Sequence, residues 1–318
     1  MVVISQDFQK TAILQLRNET LTMINRRLLL QSTFAATALT TIQPASSFGA
    51  ITGSYTGNIG LQLYTLRTQM ATKPAATLRA VKDAGYAQVE LMDVSDADTM
   101  VPLAKEHGLN VTSSFMNWEI LGNPSAKNIP TLQATIDKAA KHKLRYLVFG
   151  YIGKGHRETA DQYKSIADRS NAAGDACNAA GIQLCYHHHS FEFQPLESGK
   201  PTTGFDVFVE RFSPELMQFE IDVFWAAIGG HDPVDLLQKL KGRVAQVHLK
   251  DLLPGVANIF DEGKVPNEAF KEVGSGTINM AKVIEVAQSI GVGNCHVEQD
   301  QSPSPLDSIA RSMSYLSA

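Results

Sequence analysis

Beyond position 58 the chain alternates between short β-branched or apolar runs and longer stretches with apolar residues at helical spacing. The short runs, at 59–64, 88–92, 110–114, 146–149, 183–187, 218–222, 245–249 and 295–298, are predicted strands. The longer ones, at 75–84, 129–142, 160–180, 233–240 and 280–289, are predicted helices. Gly85, Gly108, Gly181 and Gly291 each stand between a helical stretch and the next strand, where a left-handed cap belongs. Strand and helix repeated eight times predict an α/β chain folded as one (β/α)8 TIM barrel over 51–318, rather than a doubly wound sheet. No Gly-x-Gly-x-x-Gly follows the first run, and no Pro/Ser/Gly-rich linker divides the body. The stretches without periodicity, 117–128, 197–203 and 254–275, follow strands three, five and seven, on the face where barrel enzymes keep their sites.

Residues 1–50 follow another pattern. Arg26-Arg27 precedes the apolar, small-residue stretch 28–42, which exits through Pro44-Ala45-Ser46-Ser47, the layout of a twin-arginine export signal. An apolar run of about 15 residues is short for a membrane span. The leader is therefore expected to be cleaved, giving a periplasmic or otherwise exported protein with no stable membrane insertion. The whole chain carries 28 Lys+Arg against 32 Asp+Glu, a formal charge of -4. Loss of 1–50 removes four basic residues (Lys10, Arg17, Arg26, Arg27) and two acidic ones (Asp7, Glu19), taking the charge from -4 to -6. An acidic chain lacks the local Lys/Arg excess that a nucleic-acid surface needs. Cys177, Cys185 and Cys295 share no close CxxC spacing, which rules out a disulfide scaffold or zinc knuckle.

Chemistry concentrates at the ends of four consecutive predicted strands. Strand five ends in Tyr186-His187-His188-His189-Ser190-Phe191-Glu192-Phe193, strand six in Glu220-Ile221-Asp222, strand seven in His248-Leu249-Lys250-Asp251 and strand eight in His296-Val297-Glu298-Gln299-Asp300. Carboxylates and imidazoles converging on one rim make a mixed N/O site suited to one divalent ion, Mn, Mg, Co or Zn. Each residue also has a plainer reading. Asp222 reads as a helix cap, His248 as a satisfied core histidine, Glu298 as the partner of an arginine, and Lys250 as a strand-end lysine paired with Asp251. Strand alternation turns His188 away from His187 and His189, toward packing or a supporting role.

These residues resemble the xylose isomerase-like barrels, a family of sugar isomerases, sugar and sugar-phosphate epimerases and inosose dehydratases. The resemblance runs from about residue 58 to the C-terminus. It is carried in order by Gly60-Leu61-Gln62-Leu63-Tyr64-Thr65, Gly85-Tyr86-x-x-Val89-Glu90, His187-x-His189-x-x-Glu192-Phe193, Glu220-Ile221-Asp222, His248-Leu249-Lys250-Asp251, Gly274-x-Gly276 and Glu298-Gln299-Asp300. It implies one divalent ion held by Glu, Asp, His and Glu at the ends of strands five to eight. Asp222, His248 and Glu298 match three of these positions; strand five departs from the family pattern, with Glu192 as the expected replacement ligand and His187 as the alternative. A second departure is Phe115 after strand three, where related chains often carry His.

The implied reaction is isomerisation or epimerisation of a free sugar or sugar derivative through an ene-diolate, with the ion as Lewis acid. Catalytic roles fall to Glu298, doubling as base, to Glu192, to His187 and His189 as acid/base or orienting groups, and to Lys250 as a polarising cation. Gln62 and Glu90 are expected hydroxyl contacts and Trp225 a sugar-stacking ring. The resemblance also implies a homodimer paired through the active-site rim. Expulsion of a β-oxygen from a 3-keto-glycoside, or a dehydration, would use the same enolising site. Outside that class stand a catalytically silent sugar-binding barrel and a three-zinc abasic-site endonuclease, the latter ill-suited to an acidic exported chain.

Overall fold

The computed structural model describes residues 58–318, and the predicted export leader at 1–50 lies outside them. All eight predicted strands form. They are β1 (Ile59–Gln62), β2 (Gln88–Leu91), β3 (Asn110–Phe115), β4 (Tyr146–Phe149), β5 (Gln183–His187), β6 (Met217–Asp222), β7 (Val244–Leu249) and β8 (Asn294–Val297). Every neighbouring pair is parallel and β8 closes on β1, giving the expected (β/α)8 barrel. β1 is shorter than its apolar run because the Gln62 side chain accepts from the Tyr64 N–H at 3.0 Å, which starts a 3-10 turn over Leu63–Leu66. Gly85, Gly108, Gly181 and Gly291 all take positive φ, as expected for left-handed caps.

Strand alternation sorts side chains between two environments. Val89, Leu91, Leu184, Tyr186, Phe219, Ile221, Val247, Leu249 and Val297 join one large apolar layer between barrel and helices. The intervening residues point inward, and most of them are polar. Gln88, Glu90, Ser113, Glu220, Gln246, His248, Asn294 and His296 are all buried. A polar lumen is stable only if its groups satisfy one another. Gln246 donates to Ser113 at 2.9 Å and to Glu220 at 3.0 Å, while Asn294 donates to Gln246 and Thr112, both at 3.0 Å. Gly60 makes room for this layer, because a Cβ there would collide with the His296 ring.

After β7 the chain enters a two-stranded antiparallel ribbon, Asp251–Leu252 with Phe270–Lys271. Asp251 organises the turn that follows. Its carboxylate accepts from the backbone N–H groups of Leu252, Gly274 and Gly276, each at 2.9 Å, and of Ile278 at 3.1 Å. Any side chain at Gly276 would run into that carboxylate, so Gly274-x-Gly276 is a structural motif wrapped on Asp251. Lys250 is not paired with Asp251; it points into the barrel mouth, where three other carboxylates hold it. Removing the acceptor leaves four amides without their carboxylate, and those shielded from water cost ~1–3 kcal/mol each if unsatisfied. Asp251→Ala is expected to lose ~3 kcal/mol or more in urea denaturation; a loss under ~1 kcal/mol would contradict this role.

Candidate active site

A cavity of about 470 Å³ opens at the C-terminal mouth of the barrel, lined in part by Gln62, Phe115, His187, His189, Trp225, Lys250, Glu298 and Asp300. At its floor the structure brings together His187, Asp222, His248 and Glu298, one ligand-type atom from each lying within 4.8 Å of the others. They come from the ends of β5, β6, β7 and β8, so adjacent strands each deliver one donor. His187 Nε2 lies 3.5 Å from Asp222 Oδ2, and His248 Nδ1 lies 3.1 Å from Glu298 Oε2 and 3.9 Å from Asp222 Oδ2.

Asp222 is both cap and site residue. Its Oδ1 accepts the N–H groups of Phe224 and Trp225, both at 2.9 Å, and caps the helix Val223–Ile228. That leaves Oδ2 facing the cavity floor, where its contacts are ionic. Burial opposes its charge, but Lys250 and His187 hold its carboxyl well below the usual carboxylate range. His188 supports it from behind, accepting the Asp222 N–H on Nε2 at 3.2 Å and bonding the His189 carbonyl through Nδ1 at 3.0 Å.

Glu192 does not join this group. The chain turns through a 3-10 segment at Phe191–Phe193 and folds Glu192 back behind β5. There it accepts from the Tyr186 hydroxyl and, at 2.9 Å, from the His189 N–H. The strand-five donor facing the floor is His187, whose two buried ring nitrogens have no hydrogen-bond partner. Burial keeps His187 below its ordinary pKa despite Asp222, so it presents a neutral imidazole.

Glu90 and Gln62 are also committed elsewhere. Glu90 is fully buried beneath the floor, accepting from Gln62 at 2.8 Å and Ser113 at 2.5 Å and facing His248 Nε2 at 2.7 Å. It is out of reach of a substrate hydroxyl. Gln62 lines the cavity, but its amide is divided between Glu90 and the Tyr64 N–H. Trp225 lines the cavity but is only 3% exposed, its ring packed on His189 and Phe270 with the Lys250 ammonium 5.2 Å from its centre.

Lys250 is the organising cation. Its ammonium lies 3.1 Å from Asp222 Oδ2, 2.8 Å from Glu298 Oε2 and 2.5 Å from Asp300 Oδ1. Burial would lower its pKa, yet Asp222, Asp300 and Glu298 raise it well above the ordinary lysine value. Asp300 is a site residue that the strand-end pattern contained without assigning it a role. Phe115 sets its ring 5.4 Å from His187 and 5.9 Å from His248 and walls the floor with apolar surface.

Comparison with known proteins gives the same frame. A family model for the xylose isomerase-like TIM barrel matches residues 78–318. An inosose dehydratase of Bacillus cereus is 29% identical over 153 residues, 46% of this chain and 49% of the relative, so the match spans about half the relative's length. A sugar phosphate isomerase/epimerase of Parabacteroides distasonis superposes with a TM-score of 0.65 at 25% identity, covering 81% of this chain and 96% of that one. The 3-keto-D-glucoside 4-epimerase of E. coli shares the fold at 16% identity and a TM-score of 0.60, covering 82% of this chain and 98% of that one.

The burial of Glu192 carries a pH signature. Desolvation raises its carboxyl from the ordinary 4.5 to about 7 against the donors that favour its charge. The folded protein thus holds a proton that the unfolded chain has already released. That contribution to stability is complete below about 4.5 and is lost as pH rises through about 7. Glu192→Gln, neutral throughout, is expected to show a flatter decline of Tm between pH 5 and 8.5 than the parent. Parallel Tm profiles would contradict a buried, protonated Glu192.

Proposed function

The chain belongs to the xylose isomerase-like TIM barrel family, and from that premise and the geometry of the cleft we propose a divalent-metal-dependent enzyme that isomerises or epimerises an unphosphorylated sugar or sugar derivative through an ene-diolate. The observation that carries this reading is the convergence of His187, Asp222, His248 and Glu298 on one buried point beneath an open cavity.

The donor set fits a cation. His187 offers unpartnered nitrogens, and Asp222 Oδ2 has ionic contacts without a hydrogen bond. The rim carboxylates Asp222, Glu298 and Asp300 crowd around the single ammonium of Lys250, and Asp222 and Glu298 also face His248, so carboxylates outnumber the cationic side chains at the floor. His187, Asp222, His248 and Glu298 would hold the ion, in a 2-His, 2-carboxylate set that hard or borderline divalent metals accept. When bound, it supplies Lewis-acid polarisation of adjacent sugar oxygens, which acidifies the intervening C–H.

The protein's own groups then divide the remaining work. His189, neutral because burial holds its pKa well below the ordinary value, lines the cavity with an unpartnered Nδ1 and can move a proton. Glu298, held ionised by Lys250 and His248 against the effect of burial, is the second candidate base. Lys250 donates toward negative charge developing on a substrate oxygen. Trp225, Phe115 and Phe270 line the cavity with apolar surface. Of the described residues lining the cavity, Lys250 is the one lysine or arginine, and three carboxylates already engage it. This environment supports a substrate without a phosphate group, in keeping with the export expected from the leader. A second reading, expulsion of a β-oxygen from the same ene-diolate, is favoured by the partial match to inosose dehydratase.

Incubation of ketohexoses, inososes and 3-keto-glycosides in D2O with Mn-loaded protein tests the proposal. We expect deuterium at the carbon next to the carbonyl, with epimer or isomer formed. An eliminated product would select the second reading, and no exchange in any class would contradict both. Lys250→Met is expected to lower kcat by on the order of 10²-fold or more, while Mn affinity stays equal or rises because a competing cation is gone. Loss of metal together with turnover would contradict the role given to Lys250.

A further inference from the structure

Beneath the cavity floor lies a second group of ligand-type side chains, Glu90, Glu220, His248 and His296, all fully buried. It shares His248 with the upper group, and that imidazole faces two ways. Nδ1 looks up at Glu298, 3.1 Å away, while Nε2 looks down at Glu90 Oε2 at 2.7 Å and Glu220 Oε1 at 3.3 Å. A neutral imidazole has one N–H and one lone pair, so only one of its faces is available to a metal.

The backbone is shaped to set which face that is. The barrel register slips at two places: between Val89 and Glu90, where β3 carries the extra residue Thr112, and between Phe219 and Glu220, where β7 carries the extra residue Ala245. Such irregularities re-aim side chains beside functional sites. Here they fall at the two lumen carboxylates that approach His248 Nε2. Glu90 is then fixed from three sides, by Gln62 from β1, Ser113 from β3 and His248 from β7. Beside the two neutral donors Gln62 and Ser113, the nearest group to Glu90 is His248 Nε2 at 2.7 Å, with His296 Nδ1 farther off at 3.9 Å, so Glu90 is placed to accept the Nε2–H.

We propose that Glu90 is a positioning residue for the metal site: it keeps the His248 proton on Nε2 and so commits Nδ1 to the ion. This rests on the reading of His187, Asp222, His248 and Glu298 as ligands. A carboxylate behind a ligating histidine fixes its tautomer and ring orientation and raises its basicity, and loss of such a partner costs on the order of 10- to 100-fold in metal affinity. Gln62 and Ser113 act one step further back by holding Glu90, which accounts for their committed side chains. His296 and Glu220 complete the lower group without coordinating, because a proton held by Glu90 leaves His248 Nε2 no lone pair for a second ion.

The test measures Co(II) and Mn(II) affinity of full-length wild type, Glu90→Gln and Asp222→Ala, with apo Tm recorded for each and titrations run well below it. The expected result is one ion per wild-type chain, none in Asp222→Ala, and a Kd at least about 10-fold weaker in Glu90→Gln with an altered visible spectrum of the Co(II) form. An unchanged Kd and Co(II) spectrum in a folded Glu90→Gln would overturn the positioning role while leaving the ligand assignment standing. No ion bound by wild type would sink the ligand assignment itself. Two ions per chain, one lost in His296→Ala, would make the lower group a site of its own and also overturn the proposal. Should Glu90→Gln not fold, ¹⁵N-histidine NMR of the Zn-loaded wild type decides: a retained Nε2–H with a metal-shifted Nδ1 on His248 is expected, and the opposite tautomer overturns it.

Discussion

Asp222, Glu298 and Asp300 converge on one buried ammonium, that of Lys250, at the mouth of the barrel. Burying several carboxylates with a single lysine is costly unless further positive charge or hydrogen bonding arrives. The surroundings are arranged to hold that imbalance in place. Helix-start amides take one oxygen of Asp222, His188 takes its backbone N–H, and Phe115, Trp225 and Phe270 add apolar wall to the cavity. The result is a preorganised concentration of carboxylates beside the neutral imidazoles of His187 and His189, with His248 set between Glu298 and Glu90, which suits a divalent ion and which an ordinary core does not tolerate.

The polar lumen follows from the same requirement. A barrel interior is ordinarily filled by layers of branched apolar side chains; here Gln88, Glu90, Ser113, Gln246 and Asn294 form a hydrogen-bonded layer under the floor. That layer backs His248 through Glu90 and turns strand register into side-chain aim. It also explains Gly60, whose missing side chain is the space occupied by the His296 ring.

Much of this was legible in the sequence. Apolar alternation marked all eight strands, because in a barrel the outward residues face one continuous helix layer and seldom vary in character. Asp222, His248 and Glu298 were legible as strand-end donors for the same reason. Glu192 was not: its place depends on whether the chain continues outward or turns back after β5, and the 3-10 turn at Phe191–Phe193 sends it back under Tyr186. Alternation alone would have set Glu90 on the lumen face. Its depth below the cavity depends on strand stagger, which no local pattern contains, and so it read as a substrate contact.

The central claim is that the floor formed by His187, Asp222, His248 and Glu298 is a metal site. Anomalous diffraction from crystals of the Mn-loaded protein, collected on the low-energy side of the iron edge, addresses it most directly. The account predicts a single strong anomalous peak within bonding distance of His187, Asp222, His248 Nδ1 and Glu298. No peak at that floor, or a peak held instead by Glu192, would contradict it.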